Sequence, residues 1–214
     1  MMGAMTGLAG VLGGNRVVVE FPDADLPDWA AALEVCIQEG LRAIALPVGR
    51  PDWLSDALAM FGQRAVVGVW GVLTAEQFGA VAQAGAHFLT SPVASPDVVG
   101  AAGGVPVIVG ALTPTEILGA SRLGAAGVRV VPADVLGSPY ARALPQLAPG
   151  VPLMASGRLE RYHADAWLMS TADAVCLTGM VITDEMVGKD SDLDLADVRR
   201  RARSYRELRA LENI

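Results

Sequence analysis

Short runs of aliphatic and β-branched residues alternate with longer stretches of helical period along this chain. The apolar runs fall at residues 16–20, 43–47, 65–69, 88–91, 107–110, 128–131, 153–155 and 174–177. Each is nearly continuous rather than strictly alternating, which is the pattern of parallel strands covered on both faces. Between them, residues 28–39 place Trp29, Leu33 and Cys36–Ile37 at roughly helical spacing and stop at Gly40. Thr74 is followed three residues later by Gln77, and Thr113 by Glu116, so both read as helix N-termini closed by a capping box. Pro114 then suits the first helical position. Gly40, Gly85 and Gly124 each stand shortly before a strand, as helix C-caps do in repeated βα units.

Eight strand runs with intervening helices and no long insertion predict one α/β domain over residues 1–214, a closed (β/α)8 TIM-type barrel. Residues 1–14 form an N-terminal extension and residues 194–212 a C-terminal helix. A doubly wound open sheet is the alternative. It would normally place a glycine-rich turn after the first strand, but Phe21-Pro22-Asp23 follows instead and does not cradle a pyrophosphate.

The composition fits this size. Hydrophobic residues make up 52% of the 214 and charged residues 18%, ample for one large core. The 24 glycines and 13 prolines are spread along the chain as turns. The uncharged stretch 98–115 contains Pro106, Pro114 and four glycines and reads as loop, strand and loop rather than a membrane span. The apolar segment 1–14 has no positively charged start, so it is not read as a signal peptide. Cys36 and Cys176 sit in apolar runs as reduced, buried thiols. These features predict a cytoplasmic protein. The net charge of −7 removes the basic footprint of a nucleic-acid binder. The one basic run, Arg199 to Arg209, reads as a solvated helix face. His87 and His163 have no partner at ligand spacing, so no metal is expected; no cofactor is expected either.

In such a barrel, chemistry belongs at the C-terminal ends of the strands. That places Glu20, Arg50, Trp70, Ser91, Arg129, Asp134, Ser156, Gly157, Arg158, Thr178 and Gly179 in the search for a site.

Several segments resemble the 2-keto-3-deoxy-6-phosphogluconate and 4-hydroxy-2-oxoglutarate (KDPG/KHG) aldolases. Val67-Gly68-Val69-Trp70-Gly71-Val72-Leu73 resembles the family's third strand. Residues 82–92, ending Thr90-Ser91-Pro92, resemble its fourth. Val105-Pro106-Val107-Ile108-Val109-Gly110, with the cap at Thr113, resembles its fifth. Val128-Arg129-Val130-Val131-Pro132-Ala133-Asp134 resembles its Phe-Lys-Phe-Phe-Pro-Ala-Glu. The resemblance implies a class I aldolase scaffold, a lyase, that self-associates as a homo-oligomer, a trimer by family habit. It also implies a lysine that forms an imine with a 2-oxo acid, and a glutamate that moves protons. On this alignment the lysine position falls on Arg129 and the glutamate position on Ala45. Pro-Thr-Gly-Gly becomes Ala155-Ser156-Gly157-Arg158, Gly-Gly-Ser becomes Thr178-Gly179-Met180, and the substrate-carboxylate arginine is matched by Arg50, one residue shifted.

Arginine stays protonated and is not a usable imine-forming amine. The single lysine, Lys189, lies beyond the last strand in a polar segment. Three functions therefore stay open. The first is binding of a small anionic 2-oxo acid or sugar phosphate without class I cleavage. The second is a lyase or isomerase in which Glu20 or Asp134 is the base and Arg129 and Arg50 hold an enolate. The third is a non-catalytic structural or partner-binding barrel. Arg129 suits either an anion or an ion pair with Glu20, and the two are compatible. Trp70 narrows the pocket or fills core. Asp134 is a residual acid or a loop cap, and Arg158 strengthens an anion site or plugs it.

Overall fold

The computed structural model describes residues 7–23, 26–49, 51–187 and 193–208. Within them, a short helix α1 (Leu8–Val11) is followed by β1 (Val17–Glu20), α2 (Leu26–Gln38), β2 (Ala43–Pro47), α3 (Pro51–Phe61), β3 (Val66–Trp70) and α4 (Ala75–Gln83). The chain continues through β4 (Leu89–Ser91), α5 (Pro96–Ala101), β5 (Val107–Ala111), α6 (Pro114–Ser121), β6 (Gly127–Val130), α7 (Ala133–Leu147), β7 (Leu153–Gly157), α8 (Arg161–Ser170) and β8 (Ala174–Thr178). A 3-10 turn at Asp184–Met186 precedes α9 (Leu195–Arg206). The strands are parallel, neighbours in sequence are neighbours in the sheet, and β1 pairs with both β2 and β8. The sheet is thus the closed (β/α)8 barrel that the sequence predicts.

The continuous apolar strands supply two cores. On β1, Val17 and Val19 pack outward against the helices while Val18 joins the barrel interior. The same alternation sends Ala43, Ala45, Phe88, Ile108, Met154, Ala174 and Cys176 inward. Leu8 and Leu12, from α1 and its C-cap, are buried in this interior cluster. The N-terminal segment therefore helps to fill the barrel.

Local signals act as read. Thr74/Gln77 and Thr113/Glu116 each form a reciprocal capping box. Gly40, Gly85 and Gly124 all have positive φ. One segment differs. The stretch read as loop before β5 contains α5, capped by the Ser95 side chain with Pro96 in its first turn. Six residues are too few for a helical period to stand out.

The basic run is a solvated face, with Arg200 78% and Arg203 62% exposed, and it also makes contacts that the sequence did not announce. Within α9, Arg199 Nη1 and Arg203 Nε lie 3.0 and 2.9 Å from the two carboxylate oxygens of Glu39, which is itself 4% exposed. These pairs fix α9 against the end of α2.

Candidate functional site

A cleft of about 440 Å³ opens at the C-terminal ends of the strands, lined by Glu20, Trp70, Arg129, Arg158, Thr178 and Gly179 among others. A larger groove, about 580 Å³, lies on the outer surface beside α5 and α6. Among the described residues the only charged side chain lining it is Glu116, which is engaged in its capping box. The ionisable groups that could perform chemistry converge in the smaller cleft.

Strand alternation explains the convergence. Val128 and Val130 pack outward, so Arg129 between them points inward. Val17 and Val19 do the same for Glu20. The Arg129 Nη2 atom lies 2.7 Å from Glu20 Oε1, with the two side chains 12% and 6% exposed. The approach lies off the N–H direction, because Oε1 and the guanidinium Nε both lack a hydrogen-bonding partner among the described residues. It is an ion pair without a well-aligned hydrogen bond. Arg129 Nη1 donates to Thr90 Oγ1 at 3.3 Å. On the other side, Thr178 donates its hydroxyl proton to Glu20 Oε2. The register pairs Glu20 with Ala45 on β2, so the carboxylate stands one strand away from that alanine.

Below this network lie Ser156 and Cys176, paired in register on β7 and β8 and fully buried. Ser156 Oγ makes no hydrogen bond of regular geometry among the described residues, and its polar neighbour is the Cys176 thiol. Burial, with a smaller contribution from the Glu20 charge, pushes the Cys176 thiol up to about 12.

Trp70 closes one wall. Its indole N–H donates to the carbonyl of Phe21 at 2.9 Å, and the ring both lines the cleft and packs against the interior cluster beneath it. Arg158 is exposed at the rim, close to Gly179. Asp23 and Asp184 also line the cleft, so it carries both signs of charge.

Of the residues singled out from sequence, Glu20, Trp70, Arg129, Arg158, Thr178 and Gly179 are brought together. Ser156 lies beneath them. Ser91 and Asp134 do not line the cleft. Ser91 shares the outward register of Leu89, and its hydroxyl accepts from the Val93 N–H at 3.1 Å. Asp134 packs on β7 instead: a Cβ at Gly157 would sit 2.0 Å from its Oδ1. Gly157 itself is buried. Arg50 falls outside the described residues. Thr90 and Asp184 were missed. The two-residue alternation from the inward Phe88 points to Thr90 rather than Ser91, whereas nothing in the sequence placed Asp184, which stands after the last strand. Among the described residues no group of three or more His, Cys, Asp or Glu side chains could hold a metal ion, and no helix is long and apolar enough to cross a membrane.

Comparison with known proteins gives one consistent result. The family described as KDPG and KHG aldolase matches residues 16–198. A "Probable 2-dehydro-3-deoxy-6-phosphogalactonate aldolase" of Rhizobium meliloti (strain 1021) is 34% identical over 119 residues, 53% of this chain and 56% of that protein. The 2-dehydro-3-deoxy-6-phosphogalactonate aldolase of Escherichia coli (strain K12) is 29% identical over 157 residues, 70% of this chain and 75% of that protein. Among solved structures, one described as "Native KDPGal structure" superposes with a TM-score of 0.80 at 20% identity, covering 92% of this chain and 97% of that one. At that identity the superposition speaks for the fold.

Proposed function

The chain belongs to the KDPG and KHG aldolase family, and from that premise we propose that its cleft binds a small anionic 2-oxo acid or sugar phosphate without forming an imine. The observation that carries this reading is Arg129, set on the inward face of β6 at the floor of the cleft. By the resemblance of its strand, it takes the place of the family's imine-forming lysine, and Ala45 takes the place of the family's proton-transferring glutamate. A guanidinium offers a fixed positive charge and a fork of N–H donors in place of an amine nucleophile. The relatives' names support the ligand class, since one is named as a 2-dehydro-3-deoxy-6-phosphogalactonate aldolase and the other as a probable one. Arg129 would take a carboxylate, and Arg158 at the rim a second anionic group. The proposal covers residues 1–214 as one barrel domain working in the cytoplasm as a homo-oligomer, a trimer by family habit, with no resident cofactor or metal.

The closed Glu20–Arg129 pair favours a second reading, a barrel with no ligand of its own. The open cleft of about 440 Å³ above that pair favours the first.

Calorimetric titration with pyruvate and with 2-keto-3-deoxy-6-phosphogluconate tests the choice. The expected result is binding of both, weakened about tenfold or more in Arg129→Ala by loss of a charge-assisted contact, with no release of pyruvate from the phosphorylated acid. Equal affinities in wild type and Arg129→Ala, or no binding by either, would overturn the reading.

A further inference from the structure

We infer that a ligand carboxylate displaces Glu20 from Arg129, and that Glu20, still held by Thr178, then acts as the base that removes a proton from the carbon next to the ligand's carbonyl. The inference rests on the proposed binding of a 2-oxo acid and adds a reaction to it.

The geometry of the pair is the starting point. Glu20 meets one nitrogen of Arg129, at 2.7 Å and off the N–H direction, and Nε is left without a partner among the described residues. The carboxylate therefore leaves the Nε–Nη2 edge of the guanidinium incompletely used. A free carboxylate able to lie along that edge with two aligned N–H···O contacts is the better partner, because paired charge-assisted bonds are stronger and more directional than one misaligned contact. Thr90 holds the opposite corner of the guanidinium at 3.3 Å, so Arg129 keeps its place during the exchange.

The displaced Glu20 also has a fixed place. Thr178 donates to Oε2, the oxygen that does not face Arg129, from the last residue of β8 at the cleft itself. Thr178 is thus a positioning residue. Once it has left Arg129, the Oε1 atom of Glu20 has no other hydrogen-bond partner among the described residues and is available to accept a proton.

The step balances without a co-reactant. A Glu20 oxygen forms an O–H bond as the ligand's C3–H bond breaks. The C–H electron pair becomes the C2–C3 double bond, and the carbonyl π pair moves onto oxygen as an enolate held in the field of Arg129. Return of a solvent-exchanged proton from Glu20 to C3 regenerates the 2-oxo acid. The net reaction is exchange of C3 hydrogen with solvent, or tautomerisation where the ligand permits it.

The test follows the methyl protons of pyruvate in D2O by NMR, with calorimetry on the same samples. Wild type is expected to exchange them faster than buffer. Glu20→Gln, which no longer competes with the ligand for Arg129 through a negative charge, should bind pyruvate at least as tightly as wild type and exchange it about 100-fold more slowly or worse, the scale of a lost general base. Thr178→Val should lower the exchange rate with little change in affinity, and Thr178→Ser should restore it, an outcome that a purely structural threonine would not give. Pyruvate bound by wild type without exchange would overturn the inference and leave the binding proposal standing. Exchange by Glu20→Gln at the wild-type rate would do the same. No binding by wild type would overturn both.

Discussion

Glu20 at the end of β1 and Arg129 on β6 meet inside the barrel at 2.7 Å, each nearly removed from water. A charge pair of this kind is costly to break from one side, because the remaining partner stays buried without compensation. Glu20→Ala is therefore expected to cost about 3 kcal/mol, a Tm drop of roughly 6–12 °C in a domain of this size. Replacing both residues by apolar ones, as in Glu20→Leu with Arg129→Met, should cost less than the sum of the single changes. Thermal denaturation of the four proteins in a double-mutant cycle measures the coupling, and simple additivity would contradict it.

How far this site was legible in the sequence depends on the kind of signal. The eight strands were legible because a β/α barrel strand is apolar on both faces, and because these runs are short, rich in β-branched residues and bounded by turn residues. The inward direction of Arg129 is set by the outward packing of Val128 and Val130, and that of Glu20 by the outward Val17 and Val19. Alternation from Phe88 selects Thr90, whereas position at the strand's C-terminal end selects Ser91, whose hydroxyl serves the Val93 backbone. Asp134 was placed by its nearness to β6 in sequence, whereas the turn into α7 carries it toward Gly157. Glu39 and the arginines of α9 lie about 160 positions apart, and no local pattern announces a contact of that range.

The Glu39 contact gives stability a defined pH dependence. A hydrogen bond from Arg203 is the largest influence holding the Glu39 carboxyl below its ordinary value; burial opposes it, and the charges of Arg203 and Arg199 reinforce it. A carboxyl lowered in the native state stabilises the fold at pH values above its unfolded pKa, about 4.3, and that contribution is lost as pH falls through the lower native value. The Tm difference between wild type and Glu39→Gln should thus be steady above about pH 5.5 and shrink below about pH 4. A difference unchanged at low pH would contradict the assignment.

Both thiols are expected to be inert in the folded protein. Burial pushes Cys36 and Cys176 each up to about 12, so at pH 8 neither carries appreciable thiolate. Ellman's reagent should label neither under native conditions and both in guanidinium chloride. Rapid native labelling of one cysteine would show that its surroundings open readily.

Gly68 has no room for a side chain, since a Cβ there would lie 2.5 Å from the Phe88 ring in the barrel interior. Gly68→Ala should cost about 1–3 kcal/mol through overpacking, and Phe88→Leu in the same chain should recover part of it. Equal Tm values for Gly68→Ala and wild type would mean that the interior layer under Trp70 is looser than its contacts imply.

The most direct test of the account is reduction with borohydride in the presence of saturating pyruvate, read by intact mass. With Arg129 at the floor of the cleft and Lys189 the only lysine in the chain, the mass is predicted to stay that of the unmodified protein. A reduced pyruvyl adduct on Lys189 or the terminal amine would contradict it and restore imine chemistry to this barrel.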